Sequence, residues 1–543
     1  MTRMVGLDGE IFDALVIGGG IAGGGVARDL ALRGLSVALF DKGDFASGTT
    51  SRSSKLIHGG LRYLELFDFG LVRESLRERK TLQQLAPHLL RPLPFLIPVY
   101  RHSRRGLIRV RIGLTLYDWL RPRAGGERSR VLSVLDALSL EAELRPDDLR
   151  GAGYYFDDLL LSPERLCLEN VLSAVRHGAR AFNYCQVEEV VRGRKGVDGL
   201  RVRDLLFNHV HTVRGRVIIN AAGPWVDRIR ELARVSDRGK RVIRTTKGIH
   251  CLLPRMTDRA VYLSARDDRM IFVIPWRQFS LVGTTDTDFH GDADRLWATK
   301  DEVAYLLGEI SRVFTDPRVS EDNVVYSYAG VRPLTFEAGR SPSRVSREHR
   351  VFPEGPRGRF LTITGTKLTC FRSLSEQVGD RVMRVLGRRR VPSRTAEVAL
   401  DGTDEPAPSI EVRAWMDVSA EMAATGLDRE TLEMLVETYG RAYPRILNLA
   451  RKAADGIERL CPSNLEIVAQ LYHAVSDELV VSLQDFLLRR TGIGLSPCLG
   501  LDCAEAIGRR MADLLGWSSR RLSAELAAYR DTIERSRRFR HSS

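Results

Sequence analysis

The stretch IGGGIAGGG, Ile17 to Gly25, joins an apolar run to a helical pattern and constrains the fold more than any other part of the chain. The residues before it, IFDALVI, are almost continuously apolar, as a strand buried on both faces requires. After it, Val26, Leu30 and Leu32 recur with helical spacing until Gly34, and LSVALF then reads as a second buried strand closed by Asp41. Gly18-x-Gly20-x-x-Gly23 therefore sits where a strand turns into a helix. In such a βαβ unit Gly18 makes the tight turn and Gly20 lets backbone N–H groups approach a pyrophosphate at the helix N-terminus. Gly23 permits close packing, and Asp41 accepts a hydrogen bond from a ribose hydroxyl. Gly24 and Gly25 each cost the helix about 1 kcal/mol against Ala, so close approach of another group to that first turn is expected.

Only one such fingerprint occurs, whereas an enzyme that consumes NAD(P)H through a flavin usually needs two nucleotide folds. The bound dinucleotide is therefore expected to be resident FAD rather than a nicotinamide. At 543 residues the chain has room for two or three domains. Its net charge of +14 favours an acidic partner: a phosphorylated substrate, an anionic membrane face or nucleic acid. Charge alone does not choose among them. Seven cysteines are scattered without a C-x-x-C pair, which predicts reduced thiols in a cytosolic compartment, no disulfide framework and no metal site. There is no apolar signal core and no run of about 18 apolar residues, so no membrane span is expected, while attachment to a membrane surface stays open.

Directly after the second strand comes TSRSSKLIHGGLRYLE, Thr50 to Glu65. Thr49, Thr50, Ser51, Ser53 and Ser54 offer uncharged hydroxyls suited to phosphate oxygens and flavin ring edges. His58, Arg62 and Tyr63 then supply a titratable group, a fixed cation and a phenol. Read alone, the segment is equally compatible with a solvated loop running into an amphipathic helix.

This string, following GGGIAGGGV and FDKGDFASGT, resembles the FAD-dependent glycerol-3-phosphate dehydrogenases and the related glycerophosphate oxidases. Further blocks match in order: NAAGPWVD (220–227), TKGIH (246–250), PW followed by LVGTTDTD (275–288), AGVRPL (329–334), GTKLTCFR (365–372), DFLLRRT (485–491) and LLGW (514–517). The resemblance implies an α/β fold: a Rossmann-like FAD-binding domain of the glutathione-reductase/D-amino-acid-oxidase type, with an antiparallel-sheet substrate cap and a C-terminal helical domain. It also implies FAD contacts from Thr50, Ser51, Ser54, Ala222, Gly223, Trp225, Gly365, Lys367, Leu368 and Thr369. Two positions depart from the family pattern. Thr366 replaces a glycine before Lys367, adding a side chain near the flavin, and Ile249 stands where a serine is usual, removing a hydroxyl near the substrate.

Oxidising a phosphorylated secondary alcohol needs planar fixed cations for the phosphate, for which Arg62 and Arg332 are suited, with Tyr63 as a neutral donor. The carbinol proton needs a base, with His58 and His250 as candidates. Lys247 and Lys367 are candidates for holding developing negative charge. His58 could instead attach a flavin covalently, and His250 could simply pack on a strand. The activity implied is oxidation of sn-glycerol 3-phosphate to dihydroxyacetone phosphate by hydride transfer to flavin N5, with electrons passed to a membrane quinone. Alternatives are an oxidase that uses oxygen and a flavoprotein acting on nucleic acid, the latter without any RNA-binding motif.

The FAD domain is expected from 11–99, 161–237 and 323–391, the cap from 100–160 and 238–322, a linker at 401–409 and a helical domain over 410–543. In LDRETLEMLVETYG, Leu432, Leu435, Val436 and Tyr439 line one helix face, with Asp428 capping its start and Gly440 its end. Arg101 to Arg130 mixes arginines with Leu, Ile, Val, Tyr and Trp, and the chain ends in RSRRFRHSS. Such mixing suits an anionic lipid surface, giving a cytoplasmic protein held peripherally on the inner face of the membrane; it equally suits a solvated helix face. The resemblance also allows a homodimer.

Overall fold

The computed structural model describes residues 4, 6–7, 9–122, 127–193, 196–235, 240–337, 348–400, 402–403 and 412–541, with backbone alone at 413–414. Most of the expected linker at 401–409 and the last residues of the basic tail lie outside the described residues. Two sheets organise what is described, and they divide the work of the site between them.

In the first sheet, β1 (Ile11–Ile17) pairs in parallel with β2 (Val37–Phe40) on one side and with the strand His209–Asn220 on the other. The crossover between β1 and β2 is α1 (Ile21–Leu32), and Gly34 just past its end has φ +78°, a left-handed turn that costs glycine nothing. Strands Arg350–Glu354 and Phe360–Thr364 extend the sheet beyond His209–Asn220, and Arg180–Phe182 extends it beyond β2. Val26 and Leu30 of α1 bury against Val16, Leu39, Val171 and Val378, so one face is covered by α1 and the helices Pro163–Arg176 and Phe371–Val385. The hairpin Cys185–Gly193 and Gly196–Asp204 covers the other face, where Leu200 and Val202 pack on Leu15 and Phe40.

The glycines of α1 have a packing explanation. A Cβ on Gly25 would stand 2.6 Å from Ser375 Oγ and 2.8 Å from a Phe371 ring carbon, and one on Gly24 would stand 3.2 Å from Val171. The close approach expected at that turn comes from two neighbouring helices.

Among the described residues ten strands form the second sheet: eight run in the order 287–288, 243–254, 279–283, 270–276, 260–264, 90–100, 149–160 and 56–57, while Tyr326–Thr335 pairs with 243–254 and Arg130–Leu132 with 149–160. Strand Tyr326–Thr335 pairs antiparallel with Ile243–Pro254 along ten positions, from Ile243↔Thr335 to Leu252↔Tyr326. Strand Leu90–Tyr100 pairs antiparallel with Leu149–Leu160. Both Leu90–Tyr100 and Tyr326–Thr335 therefore belong to this sheet rather than to the nucleotide-binding segments in which the sequence expectation placed them. Their partners lie far away in sequence, and the pairing overrides proximity to the first sheet's strands. One pairing is parallel, Ala260–Ser264 with Leu90–Tyr100; the rest of the sheet is antiparallel, as expected for the cap.

The C-terminal region is helical. In Arg429–Tyr439 the Asp428 carboxylate accepts from Thr431 N at 2.8 Å, Gly440 ends the helix, and Leu432, Leu435, Val436 and Tyr439 are its buried apolar stripe. The arginine pair of DFLLRRT docks this region onto the loop after β2: Arg489 Nε and Arg490 Nη1 reach Asp44 Oδ2 at 2.6 and 2.9 Å. Burial opposes ionisation of Asp44, but the two guanidinium groups outweigh it and hold its pKa down at about 2.

Candidate functional site

A cavity of about 950 Å³ runs between the two sheets and is lined by residues from both. Its first end centres on a glycine turn and a helix N-terminus. Gly18 has φ +102°, and a Cβ there would stand 2.6 Å from the Ala221 carbonyl oxygen, so the turn out of β1 needs glycine twice over. Gly23 lies behind this turn and does not line the cavity; a Cβ on it would meet the Gly18 oxygen at 1.8 Å. The N-cap of α1, Gly20, brings no side-chain cap, leaving the helix N-terminus turned to the cavity with its partial positive charge. Thr50 Oγ1 accepts from Ile21 N at 3.0 Å, so this hydroxyl braces the helix start from the cavity wall.

Asp41 closes β2 at the same end. Its two oxygens accept from Gly19 N at 2.6 Å and Gly43 N at 2.8 Å, while burial raises its pKa to about 6 against the pull of those N–H donors. Ala222, Gly223 and Trp225, just past the strand His209–Asn220, line the cavity too. Lys42 Nζ lies 3.9 Å from the Trp225 ring centre. Ser51 is not among the lining residues; its hydroxyl donates to the Gly48 carbonyl at 3.0 Å and serves the local turn.

The second end is built from side chains that arrive from separate segments. His58, Gly60, Arg62 and Tyr63 line it from the loop the sequence singled out, and Gly365, Thr366, Lys367, Leu368 and Thr369 line it from the loop before the helix Phe371–Val385. Lys367 Nζ donates to the His58 carbonyl at 2.7 Å and to Ser75 Oγ at 2.8 Å, tying these two loops together. Gly60, φ +84°, must stay glycine, because a Cβ would stand 2.4 Å from the Tyr63 ring and 3.0 Å from Lys367 Nζ. Behind His58, Gly59 N donates to Tyr117 Oη at 2.9 Å and to Asp157 at 3.2 Å, fixing the loop to the helix Leu107–Leu120. Thr366 does line the cavity, so the departure at that position adds a side chain to its wall.

Strand Ile243–Pro254 shows how a two-residue period sorts candidates. His250 faces the cavity, and Gly283 on the neighbouring strand makes room for it, since a Cβ there would sit 2.3 Å from the imidazole. Gly248 does the same for Arg332, whose Nη2 would be 2.2 Å from a Cβ at 248. Arg332 is held by Thr284 Oγ1 at 2.7 Å and Asp286 at 3.3 Å, its guanidinium at the cavity wall. Lys247 and Ile249 point the other way. Lys247 pairs with Glu302 at 2.7 Å and does not line the cavity, which removes it from the charge-holding role expected of it. Ile249 is fully buried in the core with Cys251 and Leu253, so its departure from the family pattern does not remove a hydroxyl from the site.

Burial, with Arg332 and Lys55 adding repulsion, drives the His250 pKa well below its ordinary 6.5, leaving a neutral imidazole. Its Nε2 lies 2.9 Å from Ser54 Oγ, and its ring stacks on Tyr328 at 5.0 Å. His250 Nδ1 and Trp225 Nε1 are buried without a hydrogen-bond partner among the described residues, as groups awaiting a polar ligand would be. A glycine-lined helix N-terminus, an acid at the end of the second strand and a cavity of this size fit a dinucleotide such as FAD.

Several lining residues had no local signal in the sequence. Tyr155, Tyr262 and Phe272 form an aromatic wall from the second sheet, with Tyr262 and Phe272 paired across strands at 4.5 Å. Arg535 reaches the cavity from the last long helix, Ser519–Ser536. Alternating apolar residues mark such strands without revealing which face meets a ligand.

The fold and the site together define a flavin-dependent oxidoreductase. Residues 13–363 match the FAD dependent oxidoreductase family, and residues 393–522 match the C-terminal domain of alpha-glycerophosphate oxidase. Over 98% of both chains, the protein is 36% identical to a glycerol-3-phosphate dehydrogenase of Synechocystis. It is 34% identical to the aerobic glycerol-3-phosphate dehydrogenase of Staphylococcus aureus, over 97% of this chain and 94% of that one. The glycerol-3-phosphate dehydrogenase of Bacillus halodurans, solved in complex with FAD, superposes with a TM-score of 0.82 at 29% identity, covering 99% of this chain and 97% of that one. The chain thus belongs to the FAD-dependent glycerol-3-phosphate dehydrogenase and oxidase family.

Proposed function

We propose that the protein oxidises sn-glycerol 3-phosphate to dihydroxyacetone phosphate and delivers the electrons to a membrane quinone. The observation that carries the first half is a single cavity in which a glycine-built nucleotide cradle meets Arg62, Arg332, Lys367 and a neutral, buried His250. In this reaction C2 of the substrate loses a hydride and its hydroxyl loses a proton. FAD, held by the Gly18–Gly20 turn, the N-terminus of α1 and Asp41, supplies the hydride acceptor.

Arg332 and Arg62 take the phosphate. A guanidinium matches phosphate oxygens in a planar fork, and Arg332 is already oriented by Thr284 and Asp286. His250 takes the C2 hydroxyl proton. Kept neutral by burial and steadied by Ser54 and Tyr328, it has a free ring nitrogen over a wide pH range, and such a base contributes about 10²–10⁴-fold. The Lys367 ammonium, anchored by the His58 carbonyl and Ser75, stabilises negative charge that develops on the substrate oxygen. Tyr155, Tyr262 and Phe272 exclude water from that side and strengthen each of these interactions.

A surface feature supports the membrane acceptor. Helix Leu107–Leu120 buries Val110, Leu114 and Tyr117 but exposes Ile108, Ile112 and Trp119 along one outward stripe, with Arg109 and Arg111 exposed on its flanks. Phe67 and Phe69, also exposed, lie on the neighbouring segment. Apolar residues among arginines suit the interface of an anionic leaflet, where each basic residue contributes about 1 kcal/mol. No helix among the described residues is long and apolar enough to cross a membrane. The test is sedimentation with anionic vesicles at low and high salt, alongside quinone-dependent turnover and peroxide release. Salt-sensitive binding with quinone reduction is expected; stoichiometric peroxide without vesicle binding would make the protein an oxidase.

A further inference from the structure

Three of the seven cysteines converge in the C-terminal region, although sequence spacing separates them. Cys498 and Cys503 flank a tight loop in which Leu499 (φ 52°) and Gly500 (φ 65°) both take the left-handed conformation, and Cys461 arrives from an earlier turn. Cys461 Sγ and Cys498 Sγ are 3.7 Å apart, and Asp502 Oδ1 is 3.6 Å from Cys461 Sγ. Ligand atoms of Cys461, Asp502 and Cys503 all lie within 4.8 Å of one another, and Cys498 adjoins that group through Cys461 rather than belonging to it. Two thiolates on one tetrahedral zinc, each at about 2.3 Å, stand about 3.8 Å apart. A disulfide would bring them to about 2.05 Å. The observed separation excludes a disulfide and leaves the two sulfurs close enough to share an ion.

The surroundings point the same way. Asn464 Nδ2 donates to Cys461 Sγ at 3.0 Å and lies 3.6 Å from Cys498 Sγ; Gly500 N donates to Cys498 Sγ at 3.4 Å; Ser496 Oγ is 3.2 Å from the same sulfur. Donors converging on sulfur stabilise thiolate rather than thiol, as the outer shell of a metal site does. Cys503 also occupies the N-cap position of the helix Ala504–Leu515, without a side-chain capping bond, where the helix's partial positive charge favours an anion. Cys461 and Cys503 are buried, Cys498 is half-buried and Asp502 is exposed, so the cluster has a solvent-facing side through which an ion can pass.

We propose that Cys461, Cys498, Cys503 and Asp502 bind one zinc ion as a structural site. Three thiolates select a soft or borderline cation, and four protein ligands leave no open position for catalysis. None of the four lines the active cavity. The ion pins the turn carrying Cys461 to the loop 496–503. That loop is bonded in turn to the last long helix, where Tyr529 Oη donates to the Leu499 carbonyl at 2.7 Å and from which Arg535 reaches the cavity.

The full-length, FAD-loaded enzyme, purified without chelator, should carry about one zinc per chain by elemental analysis. A C461S/C503S variant should lose at least about tenfold of that zinc while retaining its flavin. Independently of any variant, stripping wild-type enzyme with a strong chelator should lower its Tm, zinc should restore it, and cobalt(II) refilling should produce an intense thiolate-to-cobalt absorption. Zinc in the wild type no higher than in the variant would overturn the proposal. So would mass spectrometry showing a Cys461–Cys498 disulfide in thiol-trapped wild-type protein.

Discussion

The two ends of the active cavity are made from different materials. At the nucleotide end much of the fit lies in missing side chains: a Cβ on Gly18 or, behind the turn, on Gly23 would collide with backbone oxygens, and one on Gly20 would press on the Thr50 hydroxyl at 3.2 Å. At the substrate end, the surface is side chains, and glycines such as Gly248 and Gly283 matter because they clear space for Arg332 and His250. A backbone cradle is encoded locally, within one βαβ unit. The side-chain end is assembled from loops hundreds of residues apart. Substitutions at the first end should remove the cofactor; those at the second should leave FAD bound and damage turnover selectively.

The sharpest break of the first kind is Gly23→Val, which drives a side chain into the Gly18 carbonyl. FAD affinity should fall by at least about 10³-fold, some 4 kcal/mol, read as flavin per chain after gel filtration. At the other end, Arg332→Ala should keep its flavin but lose about 3 kcal/mol, roughly 10²-fold, in kcat/KM for glycerol 3-phosphate. Glycerol, without a phosphate, should hardly register the change. Equal losses for both substrates would mean that Arg332 acts on the fold.

The two lysines sharpen the comparison within one end. Lys367→Met should lower kcat by about 10²-fold, since its ammonium meets the cavity, whereas Lys247→Met should change kcat by less than about threefold, because that side chain serves an ion pair with Glu302. Similar losses in both would contradict the division of the strand Ile243–Pro254 into two faces.

The smallest effect concerns pH. His250 must be neutral to accept a proton, and burial has lowered its pKa, so activity on this account is lost only as pH falls through a value well below 6.5. The substrate phosphate itself titrates near pH 6. The profile is therefore taken on kcat, which reports the bound complex; it should stay flat through 6.5. An acid limb at or above 6.5 would assign the proton to another group.

These differences track what a single sequence encodes. The fingerprint from Ile11 to Asp41 and the helix Arg429–Tyr439 with its Asp428 and Gly440 ends were readable because their determinants lie within a few turns of each other. Lys247 lies away from the cavity because a strand alternates faces, and only the position of its partner strands shows which face meets the cavity. Strands Leu90–Tyr100 and Tyr326–Thr335, whose residues 90–99 and 326–335 the sequence sets within the nucleotide-binding segments, join the second sheet for the same reason: their ladders link remote segments. Gly24 and Gly25 were correctly read as sites of close approach, but the approaching groups are Val171, Phe371 and Ser375, which no local pattern names. The convergence of Cys461, Cys498 and Cys503 depends on a loop turn at Leu499 and Gly500 and is invisible to spacing rules.

The most direct test of the account joins both ends of the cavity in one observation: anaerobic mixing of the purified, FAD-loaded protein with sn-glycerol 3-phosphate while the flavin absorbance is followed. The account predicts that the oxidised flavin bleaches with dihydroxyacetone phosphate formed in equal amount, and that glycerol at the same concentration leaves the spectrum unchanged. A flavin that stays oxidised in glycerol 3-phosphate, or bleaches equally with glycerol, would contradict it.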